Sequence, residues 1–502
     1  MIRAARPPKR FEVALLWAAL ALAWGPASSA GAQALYYRSV PIGERAVGLG
    51  GAFTGLANDP SATYFNPAGM TSGGRFELLG SFSSLLLSRT RVDDAFVAPA
   101  AETNFVKKTT ATLPRFVGTV ARFGRAKHGR DHQFALGYST VEVARENFGD
   151  SFSQLDQQNS SDIRIDSRYR NRWYGVSFAA QVTRLSSVGF TIYLADQSQS
   201  YREDIGLARG GTFNADTGLR LGAESVTASG DLRARAYHFV PRFGWLHDVN
   251  DQWKVGAMFQ PPGIPLSQSG RFLRRTTTTF PGDDGTFLLF DESGVGARLP
   301  MPFELTAGFS WRFNEKSLLS FDASVIGPVR AGRLIKVDPP STVRRAGVFF
   351  SGDTRRRAVP NFSVGAEHRF DKVVIAGGVF SNISAAPGVP EQTDTFTPDQ
   401  VNIWGASFAF GLDYNGYRFT VGTTAMFGSG DALSATVDES GEVLSYDRTS
   451  ARRTIVLLYL AGAISVATKA SKAVGDKYET WKNDRQSESE PDPIESEDDD
   501  GL

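Results

Sequence analysis

Phe303-Glu304-Leu305-Thr306-Ala307-Gly308-Phe309-Ser310-Trp311-Arg312-Phe313 decides the fold. Odd positions carry large apolar side chains apart from Ala307, and even positions carry small, polar or charged ones. A period of two is a β-strand with two unlike faces. The same split recurs outward from it: Leu319, Phe321, Ala323 and Val325 against Ser320, Asp322 and Ser324; Phe362, Val364 and Ala366 against Ser363, Gly365, Glu367 and Arg369; Tyr417, Phe419 and Val421 against Arg418, Thr420 and Gly422. Alternation alone fits a soluble sandwich or a membrane barrel. Length favours the barrel, because the segments run about 11 to 16 residues, enough to cross a bilayer at a tilt and long for a sandwich strand.

Loop rhythm points the same way. Short connections fall at residues 124–131, 184–187, 248–252 and 314–316, at Asp371 and at Asn415-Gly416, the last a type I′ hairpin pair. Between them the sequence reads as long polar loops at 89–110, 145–168, 203–231, 281–299, 332–358, 385–399 and 431–445. Seven long loops predict seven hairpins, hence an all-β transmembrane antiparallel barrel of about 14 strands with both termini on the short-turn, periplasmic side. The stretch 454–468 reads as the closing strand, and 252–280 is untidy because Pro261-Pro262-Gly263 interrupts it.

Composition is compatible with this and excludes much else. The 502 residues hold 54 basic and 53 acidic side chains, so no global charge argues for nucleic acid. Without Cys there is no disulfide framework, thiolate metal site or cysteine nucleophile. Mean hydropathy of -0.21 excludes a bundle of apolar helices and leaves a half-apolar barrel possible. Arg3, Arg6, Lys9 and Arg10, then the apolar run 13–24, then Ala32-Gln33-Ala34 form an export signal, with cleavage expected after Ala34. The predicted organisation is a signal peptide over 1–34, a Gly-rich plug over 35–74, a barrel over 75–466 and a charged periplasmic tail over 467–502, with the bacterial outer membrane as destination.

The 43–70 stretch, GERAVGLGGAFTGLANDPSATYFNPAGM, resembles the N-terminal plug of the FadL/TodX (OMPP1) family of outer-membrane transporters for long-chain fatty acids and aromatic hydrocarbons. PorV-like barrels of a protein-secretion system carry a similar segment. The resemblance implies a 14-stranded barrel with a hatch in its lumen carrying the motif Asn66, Pro67, Ala68 and Gly69. It also implies passive uptake of a hydrophobic small molecule with lateral release where the third strand kinks, for which Gly137 is the expected position. The PorV-like likeness implies instead a non-transporting barrel serving secretion or surface attachment, with a partner on its loops or tail. On their own, Gly48, Gly50 and Gly51 permit close backbone approach, and no Lys-Ser/Thr pair closes the stretch as a phosphate loop would need.

Expected ligand contacts are Phe53, Phe65 and Met70 on the plug and the inward Arg242, Arg312, Arg369 and Arg418, any of which suits a fatty-acid carboxylate. The competing reading is a lumen network of salt bridges with the inward Glu304, Asp322, Glu367 and Asp413. Arg344, Arg345, Arg355, Arg356 and Arg357 fall in a predicted loop, where they suit the anionic groups of lipopolysaccharide. No enzyme is expected, and no cofactor or metal: His128 and His132 have i, i+4 spacing but lie in a charged turn, and no G-x-S-x-G elbow occurs.

Overall fold

The computed structural model describes residues 36–37, 41–98, 101–125, 132–155, 159–209, 212–214, 219–221, 224–279, 285–336, 354–393, 399–437 and 443–465. The expected signal segment and tail lie outside these, as do His128, Arg344 and Arg345.

Fourteen antiparallel strands form one closed sheet: β1 Phe76–Ala98, β2 Ala101–Arg125, β3 His132–Leu155, β4 Asn159–Gln181, β5 Ser186–Arg209, β6 Glu224–Asp248, β7 Trp253–Gln260 continued by Ile264–Thr279, β8 Thr286–Ala297 continued by Glu304–Asn314, β9 Ser317–Ile326, β10 Val359–Phe370, β11 Val373–Asn382, β12 Gln400–Tyr414, β13 Tyr417–Val437 and β14 Val443–Ser465. Each pairs with the next, and β1 closes on β14 from Glu77↔Ser465 to Val92↔Ala451. The closing strand is therefore the one read from the sequence. Every expected short turn connects adjacent strands, and Asn415 and Gly416 both take positive φ, as a type I′ turn demands.

The sheet is inside out relative to a soluble protein. Leu305 is 50% exposed and Phe313 48%, whereas Glu304 and Thr306, on either side of Leu305, are buried at 6% and 4%. Apolar outside and polar inside is the signature of a barrel whose outer solvent is hydrocarbon. Among the described residues no helix is long and apolar enough to cross a membrane.

The expected long loops are mostly not loops. β1 and β2 run through 89–98 and 101–110, β3 and β4 through 145–155 and 159–168, and β13 and β14 reach Val437 and start at Val443. Above the apolar belt neither face needs to be greasy, so the alternation fades while the ladder continues. The outward positions there carry Arg–Asp pairs two residues apart, such as Arg168–Asp166, Arg202–Asp204 and Arg233–Asp231, at 2.7–3.0 Å. Such exposed pairs are worth little in stability and keep the strand surface wet.

Residues 41–74 thread the lumen. They form α1 Arg45–Gly48, α2 Ala62–Phe65 and a 3₁₀ turn Pro67–Thr71, and nearly every side chain from Ile42 to Thr71 is buried. A buried irregular segment must find partners for its own amides and carbonyls, and the polar inner wall supplies them. The Asp322 Oδ2 accepts from the amides of Phe53 at 3.0 Å and Thr54 at 2.8 Å. Hydroxyls of Ser187, Thr191, Ser310 and Ser407 donate to the carbonyls of Ala68, Thr63, Gly55 and Gly48.

Candidate functional site

Asn66 is the hinge of this inner segment. It caps the 3₁₀ turn by accepting from the Ala68 amide at 3.2 Å, with Pro67 in the first-turn position where a missing N–H costs nothing. Its amide nitrogen donates to the carbonyls of Thr54 and of Trp245 on β6, both at 2.9 Å. Asn66 thereby ties two parts of the segment to the barrel. The barrel makes room by leaving out side chains: a Cβ on Gly256 would meet Asn66 Nδ2 at 2.9 Å, and one on Gly244 would meet Pro67 Cδ at 2.8 Å. Gly137 belongs to the same set. It is paired on both sides, to Val120 and to Ser177, and a Cβ there would strike Met70 Sδ and Thr63 Cγ2 at 2.9 Å. Gly137 is thus a packing position for Met70, which corrects its expected part as a kink.

The wall does part nearby, four residues further along β3. Pairing of β2 with β3 stops at Phe116↔Val141; above it Pro114 and the rest of β2 stay with β1, while β3 continues with β4 across a register shift between Glu142 and Ala144. The bulged Val143 turns its side chain inward, onto a cavity of about 70 Å³.

That cavity lies on the long-strand side of the inner segment and is walled by Tyr36, Tyr37, Tyr64, Tyr169 and Trp173 together with Leu299 to Pro302. Tyr64, from α2, sits at its floor, 5.3 Å edge-on to Phe65 and 5.9 Å from Trp173, which in turn lies 5.3 Å from Tyr193. Beneath, the Arg242 guanidinium stacks 4.2 Å from the Tyr64 ring and 5.3 Å from that of Trp173. It also pairs with Glu304 at 2.7 Å, donates to Gln260 at 3.0 Å and reaches the Tyr64 carbonyl at the end of α2. Every face of the group is engaged, so Arg242 pins the floor rather than waiting for a ligand carboxylate. Two polar atoms on the cavity wall are buried without a partner among the described residues, the Tyr37 hydroxyl and Gln197 Oε1. Burial pushes the Tyr37 phenol up to about 12, so it stays neutral and able to donate.

A second cavity, also about 70 Å³, lies across Tyr64 and Phe65 against β9 to β11, lined by Ile42, Met258 and Phe380 among others. On the short-turn side of the segment opens a polar vestibule of about 590 Å³. Arg312, Arg369 and Arg418 all line it, far from the aromatic cavity. Arg369 and Arg418 both pair with Asp413 at 2.5 Å, and Arg45 of α1 pairs with Glu367 at 2.5 Å. Glu44 accepts from the Thr420 hydroxyl, and burial pushes its carboxyl up to about 7 against the pull of Arg418. Arg45, Arg369 and Arg418 are thus committed to carboxylates, as the salt-bridge reading has it, whereas Arg312 is exposed and takes part in no ion pair among the described residues. Phe53 and Met70 are fully buried in the core, whereas Phe65 lines the second cavity.

Sequence reasoning missed Trp173 and Tyr193. The available signal was parity: Trp173 and Tyr193 occupy inward positions that elsewhere hold Ser, Thr or Gly. Nor did it place Arg356, which is buried and lines the aromatic cavity, or Arg357, which bonds the Ser384 carbonyl and Asn402. Among the described residues no group of His, Asp and Glu could hold a metal. His238, His247 and His368 each bond an amide or hydroxyl neighbour.

No family model and no curated protein matches the chain. Its structure, however, is similar to that of a Pseudomonas aeruginosa FadL homologue, at 14% identity and a TM-score of 0.54 over 86% of this chain and 99% of that one. It is similar also to the CymD monoaromatic hydrocarbon channel, at 16% identity and 0.50 over 85% and 97%, and to a deltaS2S3 mutant of the TodX monoaromatic hydrocarbon channel, at 14% and 0.51 over 85% and 99%. The fold is that of a FadL/TodX-like transmembrane barrel.

Proposed function

We propose that this chain is an outer-membrane channel for passive uptake of small hydrophobic molecules, without catalysis, and that residues 41–74 act as its hatch. The observation that carries this reading is an aromatic cavity whose floor is a buried, hydrogen-bonded inner segment and whose side meets an interrupted strand ladder. A solute arriving from the long-strand end finds apolar ring faces, then a floor of Tyr64 and Arg242 that blocks the axial path. The way open to it is sideways, through the parted β2–β3 seam past Val143. Physics favours that direction, since an apolar solute gains free energy on entering hydrocarbon and would lose it crossing the charged vestibule beyond.

Size and lining favour a single-ring aromatic over a long acyl chain: the cavity is small and its walls are largely aromatic. The signal segment would be removed on export, and the outward Arg–Asp rows above the apolar belt would meet the lipopolysaccharide headgroups.

Equilibrium binding of toluene, with oleate as comparator, to the folded protein in detergent tests the reading. Saturable toluene binding lost in Trp173→Ala is the expected outcome. Binding of neither compound to protein shown to be folded would overturn the channel reading in favour of a barrel that serves a protein partner.

A further inference from the structure

The barrel wall has a second break, opposite the first across the aromatic cavity. β7 and β8 pair as far as Gln260↔Glu304, and pairing resumes only at Gly270↔Val295. Across the stretch between, the backbone bond joining them among the described residues is Gly263 N–H to the Met301 carbonyl, at 3.0 Å, and the Gln260 side chain adds a bond to the Pro302 carbonyl at 3.2 Å. On the other side β8 is held to the chain after β9 by Gly327 to Phe303 at 2.9 Å at one end of the break and, at the other, by Arg298 to Leu334 at 2.7 Å beside the pairs Gly296↔Lys336 and Ala297↔Ile335. Six prolines gather here: Pro261, Pro262 and Pro265 on β7, Pro300 and Pro302 on β8, and Pro328 after β9. Proline removes a ladder donor, so this is a wall built to lack bonds at one height rather than a ladder that happens to fray.

The break has an apolar outside and an open inside. Ile264 and Leu266 are 54% and 60% exposed on the outer face, with Phe259, Phe303 and Leu305 beside them, so the surface there meets hydrocarbon. On the inner side Leu299, Pro300, Met301 and Pro302 are themselves lining of the aromatic cavity. One thin segment therefore separates the cavity from lipid. Within it Met301 is buried and lies against Gly263: a Cβ on that glycine would come within 3.0 Å of Met301 Cβ and 3.1 Å of its Sδ. Met is unbranched and adaptable, a side chain that can vacate its seat by rotation alone.

We infer that the β7–β8 break is a second lateral portal, through which an apolar small molecule passes between the aromatic cavity and the hydrocarbon layer, with Met301 on Gly263 as its latch. The inference rests on the channel reading and adds a route to it. Opening requires the loss of two interstrand hydrogen bonds, Gly263 to Met301 and Gln260 to Pro302, and a rotation of Met301, whereas the intact ladders of β4 to β6 would have to break many bonds to open as far.

The chain has no cysteine of its own, so a Gly263→Cys/Met301→Cys pair tests the latch directly; the Cβ separation is within about half an ångström of what a disulfide takes. The readout is the initial rate of radiolabelled toluene uptake by cells bearing the variant, before and after dithiothreitol, with bond formation checked by mass spectrometry. Uptake about threefold or more lower when oxidised, and restored on reduction, is expected for a gate that the bond locks. Equal uptake in both states with the bond formed would overturn the portal while leaving the channel reading standing. Should the pair fold poorly, Met301→Ala removes the latch and should raise the rate; an unchanged rate would equally overturn it. Wild-type uptake no faster than that of cells lacking the protein would bring down the channel reading and the portal with it.

Discussion

The wall from β4 to β6 and the wall from β7 to β9 are built from similar residues and behave differently. β4 and β5 pair without a shift from Gln181↔Ser187 to Asn159↔Arg209, and β5 with β6 from Ser186↔His247 to Arg209↔Glu224. Neither β4 nor β5 contains proline, and β6 has only Pro241. In β7 to β9 the ladder stops at the height where the inner segment meets the cavity. The lesson is that one side of a barrel can carry an unbroken ladder while another is loose, by the choice of where backbone donors are deleted.

The comparison can be broken most severely by placing a charge on the lipid face. Val176→Arg on β4 should cost about 2–4 kcal/mol, read from urea titrations of refolding into vesicles, and Leu266→Arg beside the break should cost about as much if that surface also meets hydrocarbon. A much smaller cost at Leu266 would mean that water reaches the break. Next in size is Asn66→Ala, which strands two buried carbonyls and uncaps the 3₁₀ turn; a loss of about 2–3 kcal/mol is expected. Faster protease cleavage within 41–74 would accompany it, and an unaltered digestion pattern would contradict its tethering. Gly137→Ala should cost about 1–3 kcal/mol by crowding Met70. Gly388→Ala, where nothing lies within 4 Å of the added carbon, should be near neutral in the same assay. The last effect is on pH. Because the Glu44 carboxyl is raised in the folded protein to about 7 from an ordinary 4.5, the folded state holds the extra proton between those values. Its stability therefore falls as pH rises through that window, by at most about 1.4 kcal/mol per unit. Glu44→Gln should flatten that part of the profile, and an unchanged slope would remove Glu44 as its source.

Much of this architecture was legible in the residue order. The 303–313 alternation and the short turns defined strand number and closure, because a lipid-facing strand must be greasy on one side and a two-residue turn needs residues such as Asn415-Gly416. Strand length was hidden, because the Arg–Asp rows above the belt satisfy a strand in water as well as a loop. Inward positions of Arg242, Arg369 and Arg418 could be read from parity; their partners could not, since Glu304 and Asp413 are brought to them by strand register and Glu44 by the path of the inner segment. Gly137 was conspicuous as a glycine in a strand, yet whether it bends the chain or receives a neighbour depends on Met70, sixty-seven residues away in the chain.

The hydroxyls and carboxylates that serve the inner segment also set an order of events. Ser139, Thr191, Asp322, Ser407 and Thr420 lie far along the chain from the groups they bond, as much as 376 residues in the case of Thr420 and Glu44. Until those strands are in register, residues 41–74 have nowhere to place their amides and carbonyls, and closing such long loops is costly in entropy. The part of the chain synthesised before any strand is therefore the last to settle, and a barrel caught before that moment would be an open pore.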